Sequence, residues 1–445
     1  MRKECMSSFQ RDTVSVLLGE PRRAVRILSI PIAFSLLIQT LYNIVDGIWV
    51  SGIPEYGDDA LAAVGVFFPV FMILMAFASG IGIGGGAAIS RKIGEKKSGD
   101  AGGAAVLTYL LTGAILTLLI LGILPVFRPI MVGIAGCETI GEMAYRYGRI
   151  LLLGSPFLAF TIISNAILKA EGDAKRSMLL MSAASLINIG ADPLFIYTFD
   201  LGYTGAAWAT VFSFACAAAL SGYWLWIRQD THITFTVKTE TPKSTIIGDI
   251  LRVGIPTALA QTAISVAAAG IMRLITLVGD GAHLAAYTSC WRVLMFINIP
   301  AFGLAGATLS VIGAAYGEEN PAKMKSAYFY AIQTGLKIQG VLALCVFLFA
   351  EHIALIFSYA DDSAHLRPLI ATILRYLSPV FAFSPMGIIT SAMFRSIKRG
   401  GRSLVASLLR TVILQLFFHG SLPYTFPTVL REYGLALPWE IFWQS

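Results

Sequence analysis

Charge is scarce in this chain. Lys, Arg, Asp and Glu supply 13% of its 445 residues, where a soluble domain carries about 25%. With 56% hydrophobic residues and a mean hydropathy of +0.73, too little polar side chain remains to coat a water-facing surface. A soluble globular class is excluded and a membrane protein is expected. Cysteine is also sparse. Cys5, Cys137, Cys216, Cys290 and Cys345 have no paired spacing, which argues against a disulfide framework or a zinc site. The glycine run at 80–86 (GIGIGGG) follows no strand and precedes no Lys-Ser/Thr in register. It reads as close helix packing rather than a phosphate cradle, and without a Walker motif ATP-driven transport is not expected. No Ser/His/Asp or HExxH arrangement stands out, so neither an enzyme nor a cofactor is expected. Residues 1–24 contain no apolar run, so no cleavable signal is expected and the first span itself should direct insertion. The net charge of +7 does not point to nucleic acid, because the bases lie between hydrophobic stretches rather than on one face.

Long apolar runs fill the chain instead. They fall at about 27–50, 61–90, 103–127, 147–168, 178–198, 205–227, 250–278, 284–314, 326–350, 369–394 and 403–420. A last, poor segment at 428–445 is broken by Pro438 and charged at Arg431, Glu432 and Glu440. A helix needs about 17–25 apolar residues to cross a bilayer's hydrocarbon. The expected fold is an all-α polytopic membrane protein of about twelve spans, the last short or degenerate. Bases gather in alternate connections: Arg22, Arg23 and Arg26; Arg91, Lys92, Lys96 and Lys97; Lys169, Lys175 and Arg176; Arg395, Lys398, Arg399 and Arg402. The other connections carry acids such as Asp58, Asp59, Asp200, Asp280 and Asp361. By the positive-inside rule the N-terminus is expected in the cytoplasm of a cell-membrane protein.

The chain repeats itself. Leu61-Ala-Ala-Val pairs with Leu284-Ala-Ala-Tyr, Gly94-Glu with Gly317-Glu, and Ser155-Pro156 with Ser378-Pro379, all at one offset of 223 residues. Ile30-Pro31 pairs with Ile255-Pro256 at almost the same offset. Halves of six spans each must lie parallel, an arrangement that suits carriers binding substrate between lobes. The expected organisation is a basic arm at 1–26, an N-terminal lobe at 27–227, a cytoplasmic loop at 228–248 and a C-terminal lobe at 249–445.

Two acids interrupt the apolar runs. Asp46 lies in the first span, with Asn43 and Gln39 on the same helical stripe. Asp192 lies in the fifth, four residues after Asn188 and therefore on its face. An acid within the membrane costs about 2.5–3.5 kcal/mol on insertion scales and is a functional candidate by default. Both lie toward the outer end of their spans, so they are at similar depth. Two carboxylates with amide and hydroxyl oxygens would make a site for a proton or a small monovalent cation. The bland alternative is that each Asp caps a helix break, as Asp192-Pro193 allows. Pro31 is a candidate hinge. In the second half, Arg273, Arg292, Lys337, Arg375 and Arg410 fall in or near spans. They either snorkel to the interface or, if they face a cavity, favour an anionic substrate.

The stretches at 30–52 (IPIAFSLLIQTLYNIVDGIWVSG), 61–71, 80–97, 151–178, 187–211 (INIGADPLFIYTFDLGYTGAAWATV) and 253–261 resemble the multidrug and toxin extrusion (MATE) family, across about residues 25–420. The resemblance implies a secondary antiporter that exports cationic or amphipathic small molecules in exchange for H⁺ or Na⁺ by alternating access. It implies that Asp46 and Asp192 bind the coupling cation, with Asn188 and Thr210 as oxygen ligands and Tyr147 and Asn43 near the lobe cavity. The seventh and tenth spans, IPTALAQTAISVAAAGI and LSPVFAFSPMGIITSAMF, carry no carboxylate, so the chain is similar to members that couple through the first lobe. The alternative function is a flippase for a lipid-linked or anionic headgroup, using Arg292 and Arg375. The expected partners are the bilayer and a small-molecule substrate, with the chain acting as a monomer.

Overall fold

A computed structural model describes residues 13–53, 57–228, 231–235, 239–278, 281–357 and 366–420. The poor last segment at 428–445 and the first part of the basic arm lie outside the described residues, as does the side chain of Arg273. Every regular element among the described residues is helical. The first repeat is α1 (Pro21–Ser51), α2 (Gly57–Gly94), α3 (Ser98–Ile123), α4 (Phe127–Ala135), α5 (Glu138–Ala170), α6 (Ala174–Pro193) and α7 (Gly202–Gly222). The second is α8 (Lys243–Val278), α9 (Gly281–Gly317), α10 (Pro321–Leu348), α11 (Ala350–Phe357), α12 (Arg367–Ala382), α13 (Ser384–Ser396) and α14 (Gly400–Gly420). A 3₁₀ turn joins α3 to α4, making one span. Nine helices among the described residues are long and apolar enough to cross a membrane. The pair α12–α13, bent by 54° between Pro379 and Ser384, would make a tenth.

The first helix starts earlier than the apolar run suggested. Pro21 occupies its first turn, where a missing N–H costs nothing, so Arg22, Arg23 and Arg26 ride on α1 rather than precede it. Pro31 sits inside the same helix and leaves the Ile27 carbonyl without its backbone donor. Past Pro193 the winding of α6 widens into a π-turn over Leu194–Thr198, closed by the Phe199 N–H on the Leu194 carbonyl at 2.9 Å.

Compactness divides the chain into two units. The first runs to Thr262 and includes Phe302–Ala331 and Ile389–Leu404. Its main core lies where α2 packs on α5, around Phe67, Phe127, Met131, Tyr147 and Leu152. Phe67 meets Phe127 and Tyr147 edge to face, with centroids 6.0 and 5.8 Å away. The second unit includes Ala263–Ala301 and Ile332–Ile388, with its own core around Cys290, Leu294, Ile370 and Leu374. Buried in it, the Asn298 amide oxygen accepts from Ser384 at 2.7 Å and from Gln339 at 3.5 Å.

This division cuts across the repeat, because the ends of second-repeat helices pack into the first unit. At one such contact a Cβ on Gly94 would strike the Ala314 carbonyl, and a Cβ on Gly317 would strike the Arg91 carbonyl. Backbones approach that closely only where side chains are missing. Beside this contact, Arg91 is 1% exposed. Its guanidinium donates to the Ser396 carbonyl at 3.0 Å and lies 3.9 Å from Asp249, which Lys398 contacts at 2.6 Å. The connection between the repeats is docked rather than loose. Asp100 accepts the backbone N–H groups of Glu240 and Thr241 at 2.8 and 3.1 Å, and Phe235 packs on Trp226 at 4.9 Å.

Candidate cation site

The site belongs to the first unit, where α1 packs along α6. Asp46 stands near the end of α1 and Asp192 near the end of α6, and the two carboxyl groups adjoin. Asp192 is 0% exposed and Asn188, one turn earlier on the same face, is 2% exposed. The Asn188 amide donates to Asp192 Oδ1 at 3.3 Å. Among the described residues three buried oxygens of this site find no donor, Asp46 Oδ1, Asp192 Oδ2 and Asn188 Oδ1, and the Asp46 and Asp192 carboxyls stand close enough to share one proton. Orphaned acceptors inside a protein are costly and call for an explanation. Three of them on adjacent side chains form an oxygen set that a proton or a small monovalent cation would satisfy.

Two phenols complete the surroundings. Tyr147, on α5, is buried and lies within electrostatic reach of Asp46, Asp192 and Tyr42. Its ring is held by Phe67, so the core of the unit fixes its place. Tyr42, on α1, reaches both acids as well. Sequence reasoning missed it, although it lies four residues before Asp46 and therefore on the acid's own stripe. It was masked by the more polar Asn43, which is exposed and donates to the Gln39 carbonyl of its own helix at 2.7 Å. Gln39 is half-buried. Thr210 is half-buried on α7 and donates to the Ala206 carbonyl at 3.0 Å rather than to either acid.

Arg375 is paired with Glu351 at 2.8 Å, with 43% of its side chain exposed. Arg292 and Lys337 are exposed, and Arg410 lies against Gly387.

Comparison with known proteins identifies the family of the chain. The family model described as MatE matches residues 31–194 and again 256–419, starting at the paired prolines Pro31 and Pro256. A protein called FAD transporter from Shewanella oneidensis is 28% identical over 410 residues, covering 88% of each chain. Multidrug export protein MepA from Staphylococcus aureus is 24% identical over 400 residues, covering 89% of this chain and 86% of MepA. A solved structure described as the outward-facing conformation of a multidrug resistance MATE family transporter superimposes with a TM-score of 0.86. It is 38% identical, over 92% of this chain and 89% of that one.

Proposed function

We propose, from the premise that this chain belongs to the MatE family, that it exports amphipathic or cationic small molecules in exchange for H⁺ or Na⁺. It is a multi-pass membrane transporter and not an enzyme. The observation that carries the coupling is the set of three orphaned oxygens on Asp46, Asp192 and Asn188. With both carboxylates ionised and adjoining, the empty state is unfavourable. Binding one proton or one small cation relieves it. That difference is what an ion can use to bias one conformation over another. In this reading Tyr147 and Tyr42 border the ion site, and Gln39, Asn43 and Thr210 contribute polar surface near it. Pro31 lets α1 bend as the ion comes and goes. The lobes expose substrate alternately to either side, the N-terminus is cytoplasmic and the chain works as a monomer.

A second reading draws on the FAD transporter relative: an anionic substrate, or a lipid-linked anionic headgroup, handled by second-repeat bases such as Arg292 and Arg375. Reconstituted vesicles with separately imposed proton and sodium gradients decide between them. The first reading expects gradient-driven export of a fluorescent amphipathic cation, abolished in Asp46→Asn. Normal gradient-driven export by that variant would end the coupling proposal. Export of a flavin dinucleotide, lost in Arg292→Gln with Arg375→Gln but kept in Asp46→Asn, would favour the second.

A further inference from the structure

The two helices that carry the acids meet again beyond them. The Tyr197 hydroxyl donates to the Trp49 carbonyl at 2.8 Å, and the two rings sit edge to face with centroids 6.1 Å apart. Trp49 follows Asp46 by three residues, so both lie on one side of α1. Tyr197 follows Asp192 by five. In ordinary α winding, with about 3.6 residues per turn, that spacing turns two side chains away from each other. In the π-turn over Leu194–Thr198, hydrogen bonds run from residue i to i+5, so each residue turns through a smaller angle than in the α-helix. The widened winding changes the direction in which Tyr197 leaves the helix, and its hydroxyl meets α1 at the Trp49 carbonyl. The acceptor it finds is one that the described part of the helix does not use. At the end of α1, Gly52 N–H bonds to Ile48 and Ile53 N–H to Val50, and among the described residues no backbone group takes the Trp49 carbonyl.

Gly52 makes room for the clasp. A Cβ there would lie 2.9 Å from the Tyr197 hydroxyl oxygen, while its other neighbours stay at 3.4 Å or beyond. Its φ of −83° suits any residue. Only the phenol oxygen crowds a side chain at this position.

We propose that Tyr197 is a positioning residue for ion coupling: by holding the Trp49 carbonyl it fixes the end of α1 against α6 and so sets how closely Asp46 approaches Asp192. The inference rests on the ion-coupled reading above. Tyr197 touches neither ion nor substrate. It acts through the geometry of the acids.

The test is export from vesicles at graded concentrations of the coupling ion, for wild type, Tyr197→Phe, Gly52→Ala and the double variant. Each single change should raise the half-saturating ion concentration about three- to tenfold, the factor carried by one neutral hydrogen bond. The maximum rate and thermal midpoint should stay near wild type. In the Tyr197→Phe background Gly52→Ala should add nothing, because the oxygen it would crowd is gone. Unchanged half-saturation in either single variant overturns the proposal. So does a loss confined to maximum rate, or a Gly52→Ala effect as large in Tyr197→Phe as in wild type. Should Tyr197→Phe not fold, the half-saturation of Gly52→Ala decides alone. Normal export by Asp46→Asn would instead remove the coupling reading, whatever Tyr197 does.

Discussion

Replacing Glu171 by Gln should remove a pH dependence of stability that the wild-type chain carries. Glu171 follows α5, outside the span, and is 1% exposed. One carboxyl oxygen accepts the backbone N–H groups of His232 and Ile233 at 3.0 and 3.4 Å, which docks the connection between the repeats. The other oxygen is buried without a partner among the described residues. Burial, and then the neighbouring Asp173, push the carboxyl up from 4.5 to about 8, against the pull of the two N–H donors and Arg176. Between those two values the folded chain keeps a proton that the unfolded chain has released. The stabilising share is therefore complete below about pH 4.5 and is lost as pH rises through about 8. At about 1.4 kcal/mol per unit, the amount at stake is on the order of a few kcal/mol. The assay is the thermal midpoint of purified protein from about pH 5 to pH 9. Wild type should fall relative to Glu171→Gln across that window, since the amide oxygen still accepts both N–H groups. His232, held low by burial, titrates in both proteins and drops out of the difference. Parallel curves, or a wild type that gains on the variant as pH rises, would refute the reasoning.

Two further perturbations probe the packing. Gly94→Ala should destabilise by about 1–3 kcal/mol, the usual cost of overpacking, because its Cβ meets the fixed Ala314 carbonyl. Gly65→Ala, on the same helix with nothing within 4 Å, is the control and should be neutral; equal midpoints for the two variants would count against the close approach. Asp249→Asn strands the buried Arg91 guanidinium. Removing one partner of a fully buried pair costs about 3–5 kcal/mol, and somewhat less is expected here because the Asp249 side chain is 17% exposed. Denaturant midpoints read the loss, which should largely disappear when Arg91→Met is added.

The spans and the repeat were legible because hydrophobic length and residue offset are properties of the chain itself. So were Asp46, Asp192 and Asn188, since charge inside an apolar run is conspicuous and four-residue spacing fixes a shared face. What escaped notice depended on shape. Tyr42 carries no charge and blends into an apolar stripe. The π-turn after Pro193 looks like any proline kink in sequence, yet it decides where Tyr197 points. Asn298, Gln339 and Ser384 come from three helices far apart in the chain, and no local pattern joins them. The connection at 228–248 reads as an ordinary polar loop. Its docking depends on Asp100 and Glu171, acids that belong to other elements.

The meeting of Gly94 with Ala314 and of Gly317 with Arg91 is reciprocal. Gly94 and Gly317 are the same residue of each half, and each presses on the stretch just before its counterpart. A surface that touches its own duplicate in this reciprocal way is self-complementary, as in a two-fold homodimer. Enlarging either glycine therefore opens the same seam from opposite sides, and neither half can relieve the clash alone.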